Sequence, residues 1–253
     1  MNLNSIASLL DNAQANQQAV DQINQTRNLT LDEAYAIQSI LVSKRLIRGH
    51  KIHGVKMGFT SKEKMKQMGV NDLIWGVLTS DMQYHNNAEI NLSRFIHPRI
   101  EPEIAFLLKK DIDEGYSEKT MKEYVEAVSS ALEIIDSRYR NFKFSLEDVI
   151  ADNCSSSAYI LGEWQEVNTK IEAIAMGLYE DGIEIRQGNS NNILDNPWNS
   201  FHESVRISGI YGHKHKKGDV VLAGAATAAY HMKKGSSYEW RGESLHTIKV
   251  IAK

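Results

Sequence analysis

The chain has 253 residues, of which 42% are hydrophobic, enough for a sizeable core in one large or two small domains, so intrinsic disorder is not expected. A net charge of -3 is not the basic footprint of a nucleic-acid-binding protein, and the single cysteine, Cys154, excludes an internal disulfide. The chain shows no basic start followed by an apolar core and no long apolar stretch, so we expect a cytoplasmic protein without a secretory signal or membrane span.

The first 50 residues predict helices. Thr30 and Glu33 fit a capping box, and Ile37 and Leu41 follow at helical spacing before Gly49, a plausible stop. We therefore predict an N-terminal helical region over residues 1–50 and a β-rich domain over 51–253, joined without a sharp boundary as one continuous unit.

From residue 51 the pattern changes to short strands separated by glycine turns. Strands are predicted at 52–59, 99–108, 131–136, 158–162, 176–180, 219–223 and 246–252. Helices are predicted at 61–68, 117–128, 168–173 and 197–208, and the last begins at Pro197, a favoured first helical position.

Three glutamates carry the strongest chemical signal. Glu101 and Glu103 are two residues apart in a predicted strand and so share one face, while Glu133 lies inside another apolar strand. Buried carboxylates repel one another unless a positive charge lies between them. A divalent cation held by oxygen ligands resolves this, so the pattern predicts an Mg²⁺ or Mn²⁺ site rather than zinc, with solvated surface glutamates as the alternative.

Lys56 lies in a predicted strand with Gly54 and Gly58 on its own face. Glycine in a strand often marks the close approach of a ligand or of another backbone, so Lys56 is a candidate catalytic residue. The alternative is an exposed lysine on an edge strand.

Thr60 and Ser61 follow that strand, where Thr60 and Glu63 fit a second capping box. Free N–H groups at a helix start favour an anion, so both hydroxyl residues are candidate substrate ligands, with ordinary capping as the alternative.

The segment DVIADNCSSSAYILG places short polar side chains before a strand. Asp152, Asn153 and Ser155 are candidate substrate ligands, although a plain turn would use the same residues. We interpret Cys154 as structural. His213 and His215 are a candidate soft-metal pair, but no third ligand has convincing spacing, so we predict that they lie on the surface.

Taken together, these blocks resemble the 2-keto-4-pentenoate hydratase / 4-oxalocrotonate decarboxylase family of the fumarylacetoacetate hydrolase-like superfamily. The resemblance covers residues 50 to 230 and implies an α+β fold with a mixed, strongly bent β-sheet core, or β-roll, and an N-terminal helical part. It implies Mg²⁺ or Mn²⁺ on Glu101, Glu103 and Glu133, the family lysine at Lys56 and a serine-rich loop at 152–157. The segments are GVKMGFTSKEKMKQMGV, HPRIEPEIAF, ALEIIDSRYRNFKF, DVIADNCSSSAYILG and GDVVLAGAATAA.

Within the family, DSRYRNFKF and LAGAATAA resemble the decarboxylase branch more than the hydratase branch. The resemblance implies a lyase that decarboxylates 2-oxo-3-hexenedioate (4-oxalocrotonate) to 2-hydroxypenta-2,4-dienoate in aromatic meta-cleavage catabolism. The alternatives are the hydratase, Schiff-base chemistry on Lys56 and a non-catalytic metal-binding partner subunit. The resemblance also implies a homo-oligomer that can associate with its pathway counterpart.

Overall fold

The structure, a computed structural model, describes residues 1–61 and 72–253. The helices in these residues are α1 (Leu3–Ala15), α2 (Leu31–Ile47), α3 (Leu146–Ala151) and α4 (Pro197–Ile210). The strands are β1 (Ile52–Gly58), β2 (Ile74–Thr79), β3 (Gln83–Tyr84), β4 (Glu89–Ile90), β5 (Arg99–Leu108), β6 (Val125–Ile135), β7 (Ser156–Leu161), β8 (Gln165–Glu166), β9 (Ala175–Glu180), β10 (Ile183–Asn189), β11 (Val220–Leu222), β12 (Tyr230–His231), β13 (Ser237–Gly242) and β14 (Ile248–Ala252).

The strands form two mixed sheets. The larger has the order β2-β1-β11-β5-β6-β7-β3, with β12 also pairing with β5 and β8 with β6. The smaller has the order β10-β9-β13-β14-β4. In the larger sheet β1 runs parallel to β11 and β3 parallel to β7, whereas β5 and β6 form a long antiparallel pair at its centre. That central pair carries the candidate site.

The N-terminal helices share their hydrophobic core with the strands, and the predicted capping box is confirmed. Thr30 Oγ1 accepts a hydrogen bond from the Glu33 N–H at 3.2 Å, and Glu33 Oε2 accepts one from the Thr30 N–H at 3.1 Å. These two bonds complete the capping box. Ile6 and Ile37 belong to the same buried hydrophobic cluster as the sheet strands. Sharing one core favours a single unit, and a boundary at residue 50 stays a prediction.

The seven predicted strands are confirmed, as is the helix that begins at Pro197. Six of the strands differ from the prediction by two residues or fewer at either end, whereas β6 begins six residues before the predicted start at 131. The helices predicted at 117–128 and 168–173 are wrong. Met121–Tyr124 is one 3-10 turn and β6 begins at Val125, because pairing with β5 outweighs the helix-favouring side chains there. Residues 168–173 form turns. The helix predicted at 61–68, with its signals at Glu63 and Gly69, falls outside the described residues apart from Ser61.

Among the described residues, no helix combines the length and apolar character that crossing a membrane requires.

Candidate metal centre and active site

The β5–β6 pairing brings the three predicted carboxylates together. Glu101 and Glu133 are direct cross-strand partners, and Glu103 lies two residues farther along the same face of β5. One carboxylate oxygen from each lies within 4.8 Å of the others. Glu103 and Glu133 have no exposed surface and Glu101 retains 7%. We call these three residues the glutamate cluster.

Two of these carboxylates are half-satisfied by the protein. Glu103 Oε2 accepts the Gly224 N–H at 2.8 Å, and Glu133 Oε2 accepts from Lys56 Nζ at 3.1 Å. The second oxygen of each, Oε1, is buried without a hydrogen-bond partner among the described residues. A buried acceptor without a partner is costly, so each glutamate presents one oxygen to a ligand that the chain itself does not supply.

The charge of the cluster calls for a cation. Burial raises the pKa of Glu103 well above its ordinary value, and the neighbouring Glu133 and Glu101 raise it further. Burial also raises the pKa of Glu133, although Lys56 opposes that shift. Three carboxylates and one ammonium carry a formal charge of about -2 when all are ionised, which one divalent ion cancels. The all-oxygen donor set fits Mg²⁺ or Mn²⁺.

Lys56 is buried on an interior strand of the larger sheet, so the alternative of an exposed lysine on an edge strand is wrong. It lies on β1 between β2 and β11 and is 4% exposed. Its register partner Leu222 pairs in turn with Ala105, two residues from Glu103, which places Lys56 on the face of the glutamate cluster. Burial by itself lowers the pKa of Lys56, but the surrounding carboxylates, Glu133 above all, raise it above its ordinary value.

Gly54 explains how β1 comes so close to β11. A Cβ there would lie 1.9 Å from the Val220 carbonyl oxygen, so this glycine permits the approach of another backbone.

Thr60 contacts the glutamate cluster through Gly224. Its side chain is buried against Gly224, where an added Cβ would lie 2.3 Å from Thr60 Oγ1. Gly224 is the residue that donates to Glu103, so Thr60 supports the loop that holds one member of the cluster. Ser61 is half-buried beside it in sequence. Substrate contact by either residue stays a prediction.

The polar loop at 152–155 is bound mainly to the protein. Asp152 forms a buried ion pair with Arg138 Nε at 2.8 Å. The Asn153 side chain accepts the Val77 N–H at 2.7 Å and donates to the Val77 carbonyl at 2.9 Å. These contacts fasten the loop to β2 and to the segment after β6.

Ser155 differs from its neighbours in this loop. Its hydroxyl is buried without a partner among the described residues. Asn153, Cys154 and Ser155 have φ values of 49°, 53° and 57°, a left-handed run that costs free energy and often occurs at functional sites. Substrate contact by Asp152, Asn153 and Ser155 stays a prediction, and Ser155 has the most suitable geometry.

Sequence reasoning did not single out Gly224, the backbone donor to Glu103. The available signal was its position directly after the apolar run of β11, where φ is +99°. Two arginines that follow β6 have partners of their own: Arg138 pairs with Asp152, and the exposed Arg140 pairs with Asp21 at 3.0 Å.

The prediction that His213 and His215 lie on the surface is wrong. His215 is 2% exposed, His213 is half-buried, and Asp219 lies near both. The turn between α4 and β11 packs inward because Trp75 contacts the His213 ring at a centroid distance of 5.4 Å.

Comparison with known proteins assigns the family, although no protein-family model matches the chain. It is 42% identical over 248 residues to a 4-oxalocrotonate decarboxylase of a Pseudomonas species, covering 98% of this chain and 97% of the relative. It is 33% identical over 263 residues to a 2-keto-4-pentenoate hydratase of Burkholderia vietnamiensis, covering 98% and 97%. The chain belongs to the 4-oxalocrotonate decarboxylase and 2-keto-4-pentenoate hydratase family.

The fold of this family member matches a solved relative over its length. A 4-oxalocrotonate decarboxylase from Pseudomonas putida G7, complexed with magnesium and adipate, superposes with a TM-score of 0.95 at 27% identity and covers 99% of this chain and 97% of that one. The predicted family and the predicted fumarylacetoacetate hydrolase-type fold are therefore confirmed.

Proposed function

We propose that the chain is a metal-dependent lyase that decarboxylates 4-oxalocrotonate (2-oxo-3-hexenedioate) to 2-hydroxypenta-2,4-dienoate in meta-cleavage aromatic catabolism. The observation that carries the proposal is the buried glutamate cluster with Lys56 on its face, in a full-length relative of a decarboxylase. Adipate, which accompanies magnesium in the solved decarboxylase, is a six-carbon dicarboxylate, as is 4-oxalocrotonate.

Glu101, Glu103 and Glu133 are the residues that would hold Mg²⁺, with Mn²⁺ as the alternative. When bound, the ion supplies a Lewis acid that polarises the 2-oxo group of the substrate. The unpartnered Oε1 atoms of Glu103 and Glu133 are the donors that the chain leaves available.

Lys56 stabilises the charge that develops during the reaction. Loss of CO₂ breaks the C5–C6 bond, and its electron pair moves through the conjugated system to the 2-oxo oxygen, which then takes a proton. The Lys56 ammonium is buried and oriented by Glu133, so it offers a fixed positive charge and a proton at Nζ. Its ion pair also disfavours Schiff-base chemistry, which needs a free amine.

Thr60, Ser61, Asp152, Asn153 and Ser155 are proposed to shape the substrate side of the site. Ser155 would donate a hydrogen bond directly, because its buried hydroxyl has no other partner among the described residues. Asp152 and Asn153 would act by holding the loop that presents Ser155. No cation is assigned to the distal carboxylate, since a salt bridge there would stabilise the ground state and oppose CO₂ loss.

The runner-up is 2-keto-4-pentenoate hydratase activity, which the 33% identical hydratase relative supports. That reaction would use the same enolate stabilisation but needs a positioned base to activate water. A non-catalytic, metal-binding partner subunit is the third candidate, and the retained Lys56 and glutamate cluster argue against it.

The deciding experiment is CO₂ release from 4-oxalocrotonate with EDTA and with added Mg²⁺, for wild type, Glu103→Gln and a matched control, Glu126→Gln. Glu126 is an exposed residue on β6, the strand of Glu133. Metal-dependent release that is lost only in Glu103→Gln supports the proposal. Consumption of 2-hydroxypentadienoate to a hydrated product without CO₂ release would assign the hydratase instead, and Mg²⁺ binding without either reaction would favour the partner subunit. Borohydride trapping with substrate tests the Schiff base.

The proposal includes a cytoplasmic homo-oligomer able to associate with its pathway counterpart. Ile47, Ile183 and Ile210 are 85%, 71% and 65% exposed, and a protein partner that covered any of them would remove apolar surface from water. Sedimentation analysis of the chain alone and with the counterpart enzyme tests both parts, and a monomer in both samples would refute them.

A further inference from the structure

Three potential metal ligands converge where the chain passes from α4 into β11. His213 and His215 follow the end of the helix, and Asp219 immediately precedes the strand. One ligand atom of each lies within 4.8 Å of the others. We call these residues the histidine cluster.

The hydrogen bonds of His215 identify its protonated nitrogen. Ser208 Oγ lies 2.7 Å from the Ser204 carbonyl, to which it can only donate, so the same oxygen accepts the His215 Nε2–H at 2.8 Å. His215 Nε2 also lies 3.4 Å from the Ser204 carbonyl, which again requires a proton on that nitrogen. Nδ1 therefore carries a bare lone pair, and it is buried with no partner among the described residues.

His213 presents a second unpartnered ring nitrogen. Its Nε2 is buried without a partner among the described residues. Its ring stands nearly perpendicular to that of His215, with centroids 4.9 Å apart and an interplanar angle of 85°. Buried polar atoms without a partner are costly, and these two belong to adjacent rings. One ion bound by both imidazoles would satisfy both nitrogens, with His213 in the tautomer that leaves Nε2 unprotonated.

Asp219 completes a three-ligand set. One carboxylate oxygen, Oδ2, accepts the Lys216 N–H at 2.8 Å, which fixes the side chain in the turn. The residue is 8% exposed, so its negative charge is largely removed from water close to two imidazoles. A cation bound there would be compensated by this charge.

We propose that the histidine cluster is a second metal site, distinct from the glutamate cluster, that takes a zinc-class transition-metal ion. Two imidazole nitrogens and one carboxylate are a donor set that Zn²⁺ accepts, whereas Mg²⁺ prefers oxygen ligands throughout. Ser208 supplies the outer hydrogen bond that orients a metal-binding histidine.

Access to the site and its effect on the fold follow from its position. His213 borders a cavity of about 220 Å³, also lined by Trp75 and Tyr211, so an ion in that cavity would meet the ring of one of the three ligands. The ion would tie the turn after α4 to the start of β11, so binding would stabilise the folded chain by mass action.

The test is Zn²⁺ binding by calorimetry, and the visible spectrum of bound Co²⁺, in protein whose glutamate cluster is first saturated with Mg²⁺. We expect one transition-metal ion per chain and the intense visible bands of low-coordinate Co²⁺. His215→Asn and His213→Asn should each weaken binding by at least about tenfold, and Ser208→Ala by about tenfold. Ser200→Ala is the matched control, because Ser200 is a buried serine of α4 whose hydroxyl donates to the Ala223 carbonyl instead.

Absence of Zn²⁺ binding in the Mg²⁺-saturated protein would overturn the proposal, as would equal binding by wild type and the folded variants. Circular dichroism establishes folding, and Ser208→Ala provides a variant that alters no ligand if a histidine variant fails to fold. Zn²⁺ binding that persists in Glu103→Gln supports the histidine cluster, and binding lost only in that variant assigns the ion to the glutamate cluster and refutes the proposal. The readout is independent of decarboxylation.

Discussion

The glutamate cluster and the histidine cluster are both groups of three potential metal ligands that include buried atoms without a partner among the described residues, but they are built differently. The glutamates stand on two paired strands, whose register alone brings their side chains together. The histidines and Asp219 lie in a turn, where only the packing of α4 and Trp75 decides their burial. A site on regular secondary structure can therefore be predicted from residue spacing, whereas a site in a turn cannot.

The two clusters also differ in charge. The glutamate cluster concentrates negative charge and contains Lys56 as a partial counter-ion. Burial lowers the pKa of His213 to about 4 and that of His215 to about 3, so both imidazoles are neutral at physiological pH. The first cluster needs a cation to cancel charge, whereas the second leaves two imidazole nitrogens without a hydrogen-bond partner in the described part of the chain.

The largest expected effect separates activity from stability at the glutamate cluster. Glu103→Gln should reduce CO₂ release by about 10²–10³-fold, the usual consequence of losing a charge that supports the transition state. The same change should leave the metal-free protein equally or more stable, since Glu103 faces two other carboxylates and burial already raises its pKa. Steady-state rates and urea unfolding in EDTA measure the two effects. A large loss of stability in EDTA would show that repulsion does not dominate the cluster.

Gly224→Ala tests the support of the glutamate cluster without changing a ligand. The added Cβ would lie 2.3 Å from Thr60 Oγ1 and displace the N–H that Glu103 accepts. We expect Gly224→Ala to lower the free energy of unfolding by about 1–3 kcal/mol more than the control variant Gly235→Ala does, which is the usual cost of overpacking. We also expect weaker Mg²⁺ binding.

Gly235 is the matched control for Gly224→Ala. Its φ is +92°, close to that of Gly224, but a Cβ there would meet nothing within 4 Å. Equal losses of unfolding free energy at the two positions would mean that backbone strain, rather than contact with Thr60, explains the effect.

The buried ion pair of Arg45 and Asp81 shows what a satisfied buried charge contributes to stability, and it is a reference for the two clusters. Arg45 is 5% exposed and pairs with Asp81. Asp81→Asn should cost about 1.5–3 kcal/mol near neutral pH, the range for hydrogen bonds to charged groups. Asp11→Asn is the control and should cost less than about 1 kcal/mol, since its partner Arg48 is largely exposed.

The loss in Asp81→Asn should depend on pH. Burial by itself raises the pKa of Asp81. Arg45 and the Thr79 hydroxyl outweigh burial and hold this pKa below its ordinary value. A depressed folded-state pKa contributes stability above the unfolded value, near pH 4, and that stability disappears as pH falls through the folded value. Urea unfolding at several pH values should therefore show that the unfolding free energies of wild type and Asp81→Asn approach each other below about pH 4. A difference that stays constant with pH would contradict the assigned ion pair.

The smallest expected effect is that of the histidine cluster on decarboxylation. His215→Asn should retain CO₂ release within about twofold once Mg²⁺ is saturating, because no member of that cluster belongs to the proposed catalytic machinery. Rates measured at saturating substrate check this, with Glu103→Gln beside it as the inactive reference. A large loss of rate in a normally folded His215→Asn variant would contradict this prediction and would show that the histidine cluster contributes to decarboxylation.

Much of the fold and the candidate site could be predicted because strand periodicity is local information. Alternation in residues 99–108 placed Glu101 and Glu103 on one face, and the strand was found with the observed ends. The apolar run around Glu133 revealed only the second half of β6, since Val125 to Ser130 follow residues that favour helix. Pairing with β5 is a long-range interaction, which local preference does not contain.

The sequence by itself determined the family, the fold type, the strand that carries two of the glutamates and the candidate lysine. Only the tertiary structure decided that Lys56 is buried against Glu133, that Gly224 holds Glu103 and that His215 lies beneath α4. The physical reason is that alternation reports which side of its own strand a residue occupies, whereas burial and hydrogen bonding depend on segments distant in sequence that pack against it.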